Sequence, residues 1–539
     1  MEADNLLLYI VATNRCRSAK RVWCGSMRSV AGEELELKLE LTQQEIELIG
    51  SHPALEPLTV GRPETHTLRS IYFDTPDHQL RAHGISLRLR SSDEDRWVQT
   101  VKLGDGEING VSHRKQLETP MAIPEPDLEA ITDRKVRRKI EHAVRTAPLE
   151  PLFVTVVKRT TRKLHSDKGD LELALDEGVV RAGKEEAKLC EAELELKSGS
   201  PVSLLEMAST LFASAPFRLA HTTKADRGYN LILGRQDESV MPRRAVQPTL
   251  RADEACSEAL SLFVESASNQ IIANRRVVLE SDDPEGAHQL RIGLRRLRSA
   301  LRAFRPLDDT PALRELEEHA QDLARSVGRL RDADVLLADI FAQVASQMKG
   351  EAGFAELRQG LVAHRFKARD EVRQALSGTQ WSKLQLYLVL WPRTIGENVS
   401  LQIPVRDFAT PVLRKTWKKV AKLGAAIDGL SFEERHEMRI ALKTFRYMVE
   451  FFGSLYAKGK IKRFVKDLQE LQEMFGYIND VLRAKELNAI AHEYCASDQA
   501  AQRAAGYVLG WHDAEATHRW AAAPKEWRRL KERSRFWAK

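Results

Sequence analysis

Two patterns of hydrophobic and polar positions divide the chain. From residue 33 to about 235, hydrophobic and polar residues alternate in short runs, as in strands of an antiparallel sheet or barrel. The predicted strands are Leu35–Leu39, Ser86–Arg90, Trp97–Lys102, Phe153–Val157, Leu171–Leu175 and Ala192–Leu196. Helices outside the strands are predicted at Thr42–Ile49, Ile131–Arg145 and Ser203–Ala213, the first with a Thr-x-x-Glu capping box.

The second pattern begins after a stretch without periodicity. Between Gly234 and Leu250 the sequence contains two prolines and no regular spacing, which is typical of a linker. The chain beyond it has apolar residues at helical spacing and is predicted to be all helical. The predicted segments are an unstructured extension (1–30), a first domain (31–235), a linker (236–250) and a helical domain (251–539). Met27, just ahead of the first periodic run, is an alternative translation start.

Composition restricts the class of protein. A chain of 539 residues with 43% hydrophobic residues can form two or more folded domains. The five cysteines lie far apart without Cys-x-x-Cys spacing, so neither a disulfide framework nor a zinc site is indicated. The first 30 residues make a poor signal peptide, and no apolar run approaches the length of a membrane span. The predicted location is the cytoplasm.

The helical part contains an internal repeat. The residues His288, Arg291, Arg295 and Arg298 recur with identical spacing as His436, Arg439, Lys443 and Arg446. A matching segment follows each histidine at the same distance, Gly328–Asp332 in the first copy and Gly476–Asp480 in the second. The repeat predicts two related helical bundles that face one another.

Candidate chemistry in the first part begins with Glu34-Leu-Glu-Leu-Lys38. Alternate residues of a strand share a face, so Glu34, Glu36 and Lys38 project together. Alone, this pattern fits a strand whose charges face water. Further charged strands add clustered cations for a polyanion and clustered carboxylates for a hard divalent ion: Arg88–Arg90, Thr100–Lys102, Arg114–Glu118 and Glu191–Lys197. No Gly-rich phosphate loop is present, so phosphate binding would come from side chains.

The order of these motifs resembles the CYTH family, the triphosphate tunnel metalloenzymes, over residues 33 to 235. The pieces that carry the resemblance are Glu34–Lys38, Tyr72–Thr75, Leu87–Arg90, Gln99–Lys102, Phe153–Arg159, Leu175–Gly178, Glu191–Gly199 and Lys224–Tyr229. The resemblance implies an eight-stranded antiparallel β tunnel with flanking helices, in which cations grip a linear triphosphate and carboxylates bind Mg²⁺ or Mn²⁺.

Residue roles follow from the resemblance, motif by motif. The implied triphosphate ligands are Lys38, Arg88, Arg90, Lys102, Arg114, Arg159 and Lys224. The implied metal ligands are Glu34, Glu36, Asp176, Glu193 and Glu195, and the implied catalytic residues are Glu34, Glu36 and Lys38. The sequence does not indicate which carboxylate orients the attacking water. Gln116 departs from the family pattern where a glutamate is expected, which puts activity level and metal preference in doubt.

Candidate chemistry in the helical part lies on the repeated helices. Positions 0, 3, 7 and 10 of a helix fall within an arc of about 80°, so each set of basic residues forms one ridge. Two facing ridges could line a groove for a chain of phosphates, whereas salt bridges to Asp332 and Asp480 or packed histidines are the simpler alternatives. The tandem pieces His288–Arg298 and His436–Arg446 resemble a CHAD domain over residues 251 to 535, which implies polyphosphate binding by both ridges.

The combined hypothesis is an α+β two-domain protein that resembles bacterial CYTH-CHAD inorganic triphosphatases. It would hydrolyse inorganic triphosphate with a divalent metal and bind polyphosphate through a C-terminal all-α domain of two pseudo-repeated bundles, with polyphosphate granules as a site of association. The alternatives are a tunnel enzyme that acts on thiamine triphosphate, a nucleoside triphosphate or ATP, and a noncatalytic polyphosphate-binding protein. Nucleic acid is disfavoured because the ridges lack interleaved aromatic residues.

Overall fold

The computed structural model describes residues 33–92, 96–103, 111–212, 217–220, 222–234, 240–496, 498–533 and 535–537. The predicted extension, with Cys16 and Cys24, lies outside these residues. Among the described helices, none combines the length and apolar character that a membrane span requires.

The N-terminal part is built on antiparallel strands that close on themselves. The strands follow the order β5-β4-β3-β2-β6-β7-β8-β1-β9, and β5 also pairs with β1, so β1 to β8 form a complete ring. They are β1 (Glu33–Glu40), β2 (Thr59–Asp74), β3 (Ile85–Ser91), β4 (Trp97–Leu103), β5 (Val111–Met121), β6 (Glu150–Ser166), β7 (Gly169–Ala182), β8 (Glu185–Gly199) and β9 (Arg218–Leu219). The short β9 pairs with β1 beside the ring.

In the described residues of this part, six helices accompany the strands: α1 (Gln43–Gly50), α2 (Leu55–Leu58), α3 (Gln79–Ala82), α4 (Arg134–Val144), α5 (Pro201–Phe212) and α6 (Lys224–Ile232). Thr42 caps α1 through the predicted capping box, with both reciprocal hydrogen bonds to Glu45 formed. Helix α4 begins three residues later than Ile131, because the Asp133 carboxylate accepts hydrogen bonds from the amides of Lys135 and Val136.

From residue 240 onward the described chain contains helices and no β-strand. The α-helices are α7 (Cys256–Glu280), α8 (Pro284–Phe304), α9 (Pro311–Val335), α10 (Ala342–Ala345), α11 (Phe354–Ser377), α12 (Thr379–Thr394), α13 (Val405–Gly424), α14 (Phe432–Phe452), α15 (Lys458–Arg483), α16 (Glu486–Tyr494), α17 (Gln499–Trp520) and α18 (Ala523–Glu532). The repeat corresponds to α8 and α9 in one copy and α14 and α15 in the other. The α+β organisation predicted from the sequence is confirmed.

The two parts share packing. Helix α5 lies against α12, and buried residues of the ring and of the helical part belong to one continuous apolar cluster. The Gln385 side-chain amide donates to the Phe217 carbonyl at 3.2 Å, and the Ser200 hydroxyl donates to Glu397 at 2.5 Å. Residues 240–250 have neither helix nor strand, and Leu250 is buried with its amide bound to the Ser454 hydroxyl.

Candidate functional sites

Three carboxylates meet inside the ring of strands. Asp176 on β7 is the register partner of Glu191 on β8, and Glu193 follows two residues later on the same face. Their carboxylate oxygens lie within 4.8 Å of one another, and the side chains of Asp176 and Glu191 are fully buried. We call Asp176, Glu191 and Glu193 the acid cluster. Three ionised carboxylates at this spacing repel each other strongly, so they need nearby positive charge.

Lys224 and Arg159 supply this charge. The Lys224 ammonium, at the first turn of α6, lies 2.6 Å from Glu191 Oε2, 2.8 Å from Glu193 Oε1 and 2.9 Å from Asp176 Oδ2. Arg159 on β6 donates two hydrogen bonds to Asp176, at 2.7 and 2.6 Å, and one to Glu193 at 2.5 Å. The predicted phosphate ligands are thus bound to carboxylates in this structure.

Lys38 completes the set from the neighbouring strand, β1. It is the register partner of Glu193, and its ammonium lies 2.9 Å from Glu193 Oε1. Burial opposes ionisation of Glu193, but Arg159, Lys224 and Lys38 outweigh burial and hold its pKa well below the ordinary value. Burial likewise opposes the charge on Lys224, but the acid cluster raises its pKa. Glu193 and Lys224 are therefore held in their charged forms and are paired with each other.

More cations line β3 and β4. Arg88 Nη1 lies 3.5 Å from the Tyr72 hydroxyl, and Arg90 Nε donates to the Ser70 hydroxyl at 3.0 Å. Burial and the neighbouring Arg88 lower the pKa of Arg90 to about 9. Lys102 lies on the same inward face, one register step beyond Arg88. The ring thus has a mixed wall of acids and bases on one side and a basic wall on the other.

The remaining predicted residues lie toward one end of the ring. Glu36 is the register partner of Glu195, and Lys197 contacts Glu195 at 2.7 Å and Glu172 at 3.3 Å. Glu34 and Arg114 are backbone register partners on β1 and β5, and their side chains lie outside the described part of the chain. Gln116 faces inward opposite Lys102 and donates to Glu118 at 3.1 Å.

The repeated helices bring their basic ridges together. Arg291 and Arg295 on α8 and Arg439 and Lys443 on α14 form a single group, which we call the basic cluster. The cations lie close enough across the two helices for Arg295 and Arg439 to depress the pKa of Lys443. Arg295 also hydrogen-bonds Tyr447 on α14.

Burial and neighbouring cations make the basic cluster electrostatically unfavourable. Burial, reinforced by Arg295, Arg439 and Arg291, lowers the pKa of Lys443 to about 6. Burial also lowers the pKa of Arg439 to about 10. Carboxylates relieve part of the repulsion, since Arg291 contacts Asp332 at 3.0 Å and Arg439 lies 4.0 Å from Asp480. Arg483 adds a further cation beside Asp332.

The outer members of the two ridges have other partners. Arg298 donates to Gln321 at 2.7 Å, and Arg446 donates to Glu450 at 2.7 Å. His436 is exposed. Burial and the adjacent Arg331 lower the pKa of His288, which favours its neutral form. Four of the eight predicted residues therefore form the centre of the site.

Comparisons with known proteins match both parts of the chain. The family model described as CYTH domain matches residues 32–229, and the one described as CHAD domain matches residues 263–489. This chain is a CYTH-CHAD protein. The acid cluster and the basic wall belong to the CYTH domain, and the basic cluster belongs to the CHAD domain.

Individual relatives match parts of this CYTH-CHAD protein. A Haemophilus influenzae protein named inorganic triphosphatase is 29% identical over 207 residues, which is 38% of this chain and 56% of that protein. An uncharacterised Mycobacterium tuberculosis protein is 25% identical over 331 residues, 56% of this chain and 58% of that protein. The chain thus spans somewhat over half the length of these curated relatives. The crystal structure of a CHAD domain from Ricinus communis is 30% identical, with a TM-score of 0.49, covering 53% of this chain and 96% of that one.

The acid cluster of the CYTH domain includes a residue that the sequence interpretation did not assign. Glu191 shares its strand face with Glu193 and Glu195, so the alternation along β8 already indicated that Glu191 lies beside the two predicted metal ligands. Arg227 on α6 contacts Glu191 at 3.5 Å and Glu40 at 2.7 Å. This second ion pair fixes α6 against β1 and β8.

The acid cluster fits a divalent cation. Its donors are carboxylate oxygens, which Mg²⁺ and Mn²⁺ prefer. The Glu191 Oε1 atom is buried and accepts no hydrogen bond, with Arg227 Nε 3.5 Å away, so this carboxylate has unused capacity as a ligand. The Lys224 ammonium occupies the same carboxylates and would have to share them with an ion.

Proposed function

We propose that this CYTH-CHAD protein is a metal-dependent inorganic triphosphatase whose CHAD domain binds inorganic polyphosphate. In the CYTH domain, water would attack a terminal phosphorus of tripolyphosphate, the bridging P–O bond would break, and pyrophosphate and phosphate would leave. The observation that carries the proposal is the buried ion-pair group of Lys38, Arg159 and Lys224 with the acid cluster. The name of the Haemophilus influenzae relative supports this activity.

Substrate binding would exchange partners within this group. The ammonium groups of Lys38 and Lys224 and the guanidinium of Arg159 can each donate to phosphate oxygens instead of carboxylates. Arg88 and Arg90 on the basic wall would bind other oxygens of the chain. Held from both sides, the phosphate chain is oriented and its charge is neutralised before reaction, which is the main requirement for phosphoryl transfer.

The carboxylates released by this exchange would hold the metal. The acid cluster provides three ligands, and Glu34, Glu36 and Glu195 are proposed as further ligands toward the other end of the ring. A bound Mg²⁺ or Mn²⁺ would neutralise charge that develops on phosphate oxygens. The role of the carboxylates themselves is to accept a hydrogen bond from water and orient it, with Glu34 and Glu36 as the proposed catalytic pair and Lys38 as their cationic neighbour.

The activity is tested by phosphate release from tripolyphosphate with Mg²⁺ or Mn²⁺. Arg159→Met removes an inward cation and Lys158→Met removes its exposed neighbour on the outer face, so the two variants are matched in charge and position. We expect loss of at least about 100-fold in kcat/KM for Arg159→Met, the effect of removing a transition-state cation, and no loss for Lys158→Met. Glu34→Gln/Glu36→Gln is expected to be inactive.

Two results would reject the assignment. One is no metal-dependent phosphate release by the intact chain, and the other is full activity of Glu34→Gln/Glu36→Gln. A panel of tripolyphosphate, thiamine triphosphate and ATP with product identification separates the inorganic substrate from the alternatives. Polyphosphate binding without turnover of any of these compounds would favour a noncatalytic polyphosphate-binding protein instead.

The CHAD proposal rests on the basic cluster. Four basic side chains from two helices lie together, and among the described residues the carboxylates reported beside them are Asp332 and Asp480, so a polyanion would remove a repulsion that the folded chain already contains. Polyphosphate offers closely spaced charges to all four cations at once. The outer residues His288, Arg298, His436 and Arg446 are proposed to extend the surface.

A charge-matched pair of variants tests the CHAD proposal in the full chain. The test variant replaces the basic cluster, as Arg291→Ala, Arg295→Ala, Arg439→Ala and Lys443→Ala. The control variant replaces four exposed cations of α13, as Arg414→Ala, Lys415→Ala, Lys418→Ala and Lys419→Ala. We expect polyphosphate affinity to fall at least about tenfold more in the test variant. Equal losses in both would mean that binding depends on net charge alone.

A further inference from the structure

Exposure along the inward face of β8 is lowest at Leu189 and Glu191, rises toward Lys197, and rises again toward Glu185 at the start of the strand. Along β8 the inward side chains of Glu191, Glu193, Glu195 and Lys197 are 0%, 12%, 19% and 42% exposed. Since these are alternate residues on one face, the series follows the axis of the ring. The ring is therefore open to solvent near Lys197 and shielded around Leu189 and Glu191.

Aromatic side chains fill the shielded part of the strand ring. Tyr72 on β2 stacks on Phe153 on β6 at 4.6 Å between centroids, and Phe153 meets Tyr229 on α6 edge-to-face at 5.3 Å. Tyr72 and Phe153 are register partners on the face of β2 and β6 that also carries Arg159. All three rings are buried in an apolar cluster. We call Tyr72, Phe153 and Tyr229 the aromatic plug.

The aromatic plug is fixed by three separate elements. The Tyr229 hydroxyl donates to the buried Asp74 carboxylate at 2.6 Å, and the Leu80 amide donates to the same carboxylate at 2.7 Å. At Gly228 an added Cβ would lie 2.2 Å from the Phe153 ring, so the backbone of α6 rests directly on that ring. The plug is thus part of the packed core and not a mobile side chain.

One polar group marks the boundary between the charged part of the ring and the plug. The Tyr72 hydroxyl lies 3.5 Å from Arg88 Nη1, on the side of the cations. Burial opposes ionisation of Tyr72, but the positive charges of Arg88, Arg90 and Lys224 outweigh burial and lower its pKa. A phosphate that reaches this hydroxyl meets the packed rings of Phe153 and Tyr229 beyond it, and the Tyr229 hydroxyl is already bound to Asp74.

We propose that the CYTH tunnel is blind and accepts a phosphate chain only through a free terminal phosphate, which stops at the aromatic plug. This inference rests on the proposed triphosphatase function and specifies its substrate class. Any substituent, or the rest of a longer chain, has to remain at the end near Lys197. Chains blocked at both termini are therefore excluded, because the packed plug leaves no space for the group at the second terminus.

A pair of competitors tests the inference on the intact chain. Adenosine 5′-tetraphosphate and P1,P4-diadenosine tetraphosphate contain the same number of phosphates, but only the first has a free end. Each is titrated into the tripolyphosphate assay. We expect the free-ended compound to inhibit within about tenfold of the tripolyphosphate KM, and the doubly blocked compound at least about 100-fold more weakly. Phosphate release without competitor, measured alongside, reports on the proposed function separately.

Two outcomes would overturn the blind tunnel. Equal inhibition by both compounds would mean that no free terminus is needed, and failure of both would mean that the end near Lys197 does not admit a chain. Opening the plug provides a second measurement. Phe153→Ala is expected to make the doubly blocked compound inhibit at least about tenfold better. Phe73→Ala, which removes a buried ring from the other face of β2, is the control and should not change the ratio.

Discussion

Lys224 and Glu191 form a buried ion pair across the shielded part of the CYTH ring, with Nζ and Oε2 2.6 Å apart and side-chain exposures of 6% and 0%. The pair joins the first residue of α6 to β8. A lysine so placed contacts all three carboxylates of the acid cluster, which it shares with Arg159 and Lys38. This placement also means that Lys224 offsets part of the negative charge of the acid cluster when no ligand is bound.

Replacing Lys224 is expected to destabilise the fold. Lys224→Met leaves the acid cluster with one cation fewer and no solvent to compensate, and breaking a buried pair from one side costs about 3–5 kcal/mol. Denaturant unfolding at neutral pH measures the loss, with Lys158→Met as the exposed control. Mg²⁺ or Mn²⁺ should restore part of the stability of Lys224→Met. A variant as stable as the parent and unaffected by metal would contradict this account.

Metal and tripolyphosphate should bind cooperatively. Either ligand alone meets unfavourable charge, because the cations oppose a metal and the acid cluster opposes a phosphate chain. We expect each to raise the affinity of the other by about 5–150-fold, the usual range of coupling between sites, and by equal factors. Titration calorimetry can measure the metal affinity with and without tripolyphosphate, and the tripolyphosphate affinity with and without metal. It is done with Arg159→Met, or at a pH or temperature where turnover is negligible. Independent binding would argue against partner exchange.

Glu193 should contribute to stability against acid. Its folded pKa lies well below its ordinary value of 4.5, so the carboxylate stabilises the fold above that value. This contribution is lost as the pH falls below 4.5 toward the depressed folded pKa. Unfolding free energies measured between pH 7 and 3 should therefore fall less steeply for Glu193→Gln than for the parent. Parallel curves would show that Glu193 is not the responsible group.

Lys443 should make polyphosphate binding dependent on pH. With its pKa lowered to about 6, Lys443 is largely neutral at pH 7. A bound polyanion would raise this pKa, so binding takes up a proton and affinity falls as the pH rises above about 6. The groups that face Lys443 are Arg291, Arg295, Arg439 and Asp480. Binding measured from pH 5.5 to 8.5 should have a smaller slope in Lys443→Met, while a slope equal to that of the parent would assign the effect to another group.

The sequence predicted much of the ring because alternation is a local property. Glu36 and Lys38 face inward as their spacing requires, and the capping box at Thr42 starts α1. Strand β2 was missed for a physical reason. Its first ten residues are mostly exposed and include Gly61 and Pro63, so no side of this segment has to be apolar.

The partners within the site could not be read from one sequence. Lys224 was identified as a phosphate ligand, but its contacts with Glu191 and Glu193 depend on where α6 packs against β8, and 31 residues separate Lys224 from Glu193 along the chain. The basic cluster is similar. Identical spacing revealed two ridges, whereas the pairing of Arg295 with Tyr447 follows from tertiary packing alone.

The contact between α5 and α12 has a consequence for how such proteins diversify. One apolar cluster includes residues of both domains, so each domain has an apolar surface that the other domain covers. If this CYTH domain were joined to a different helical domain, the apolar side of α5 would be exposed unless the new domain contained a helix that packs against it. Inheritance of the two domains as a single unit is the simplest way to keep both faces covered.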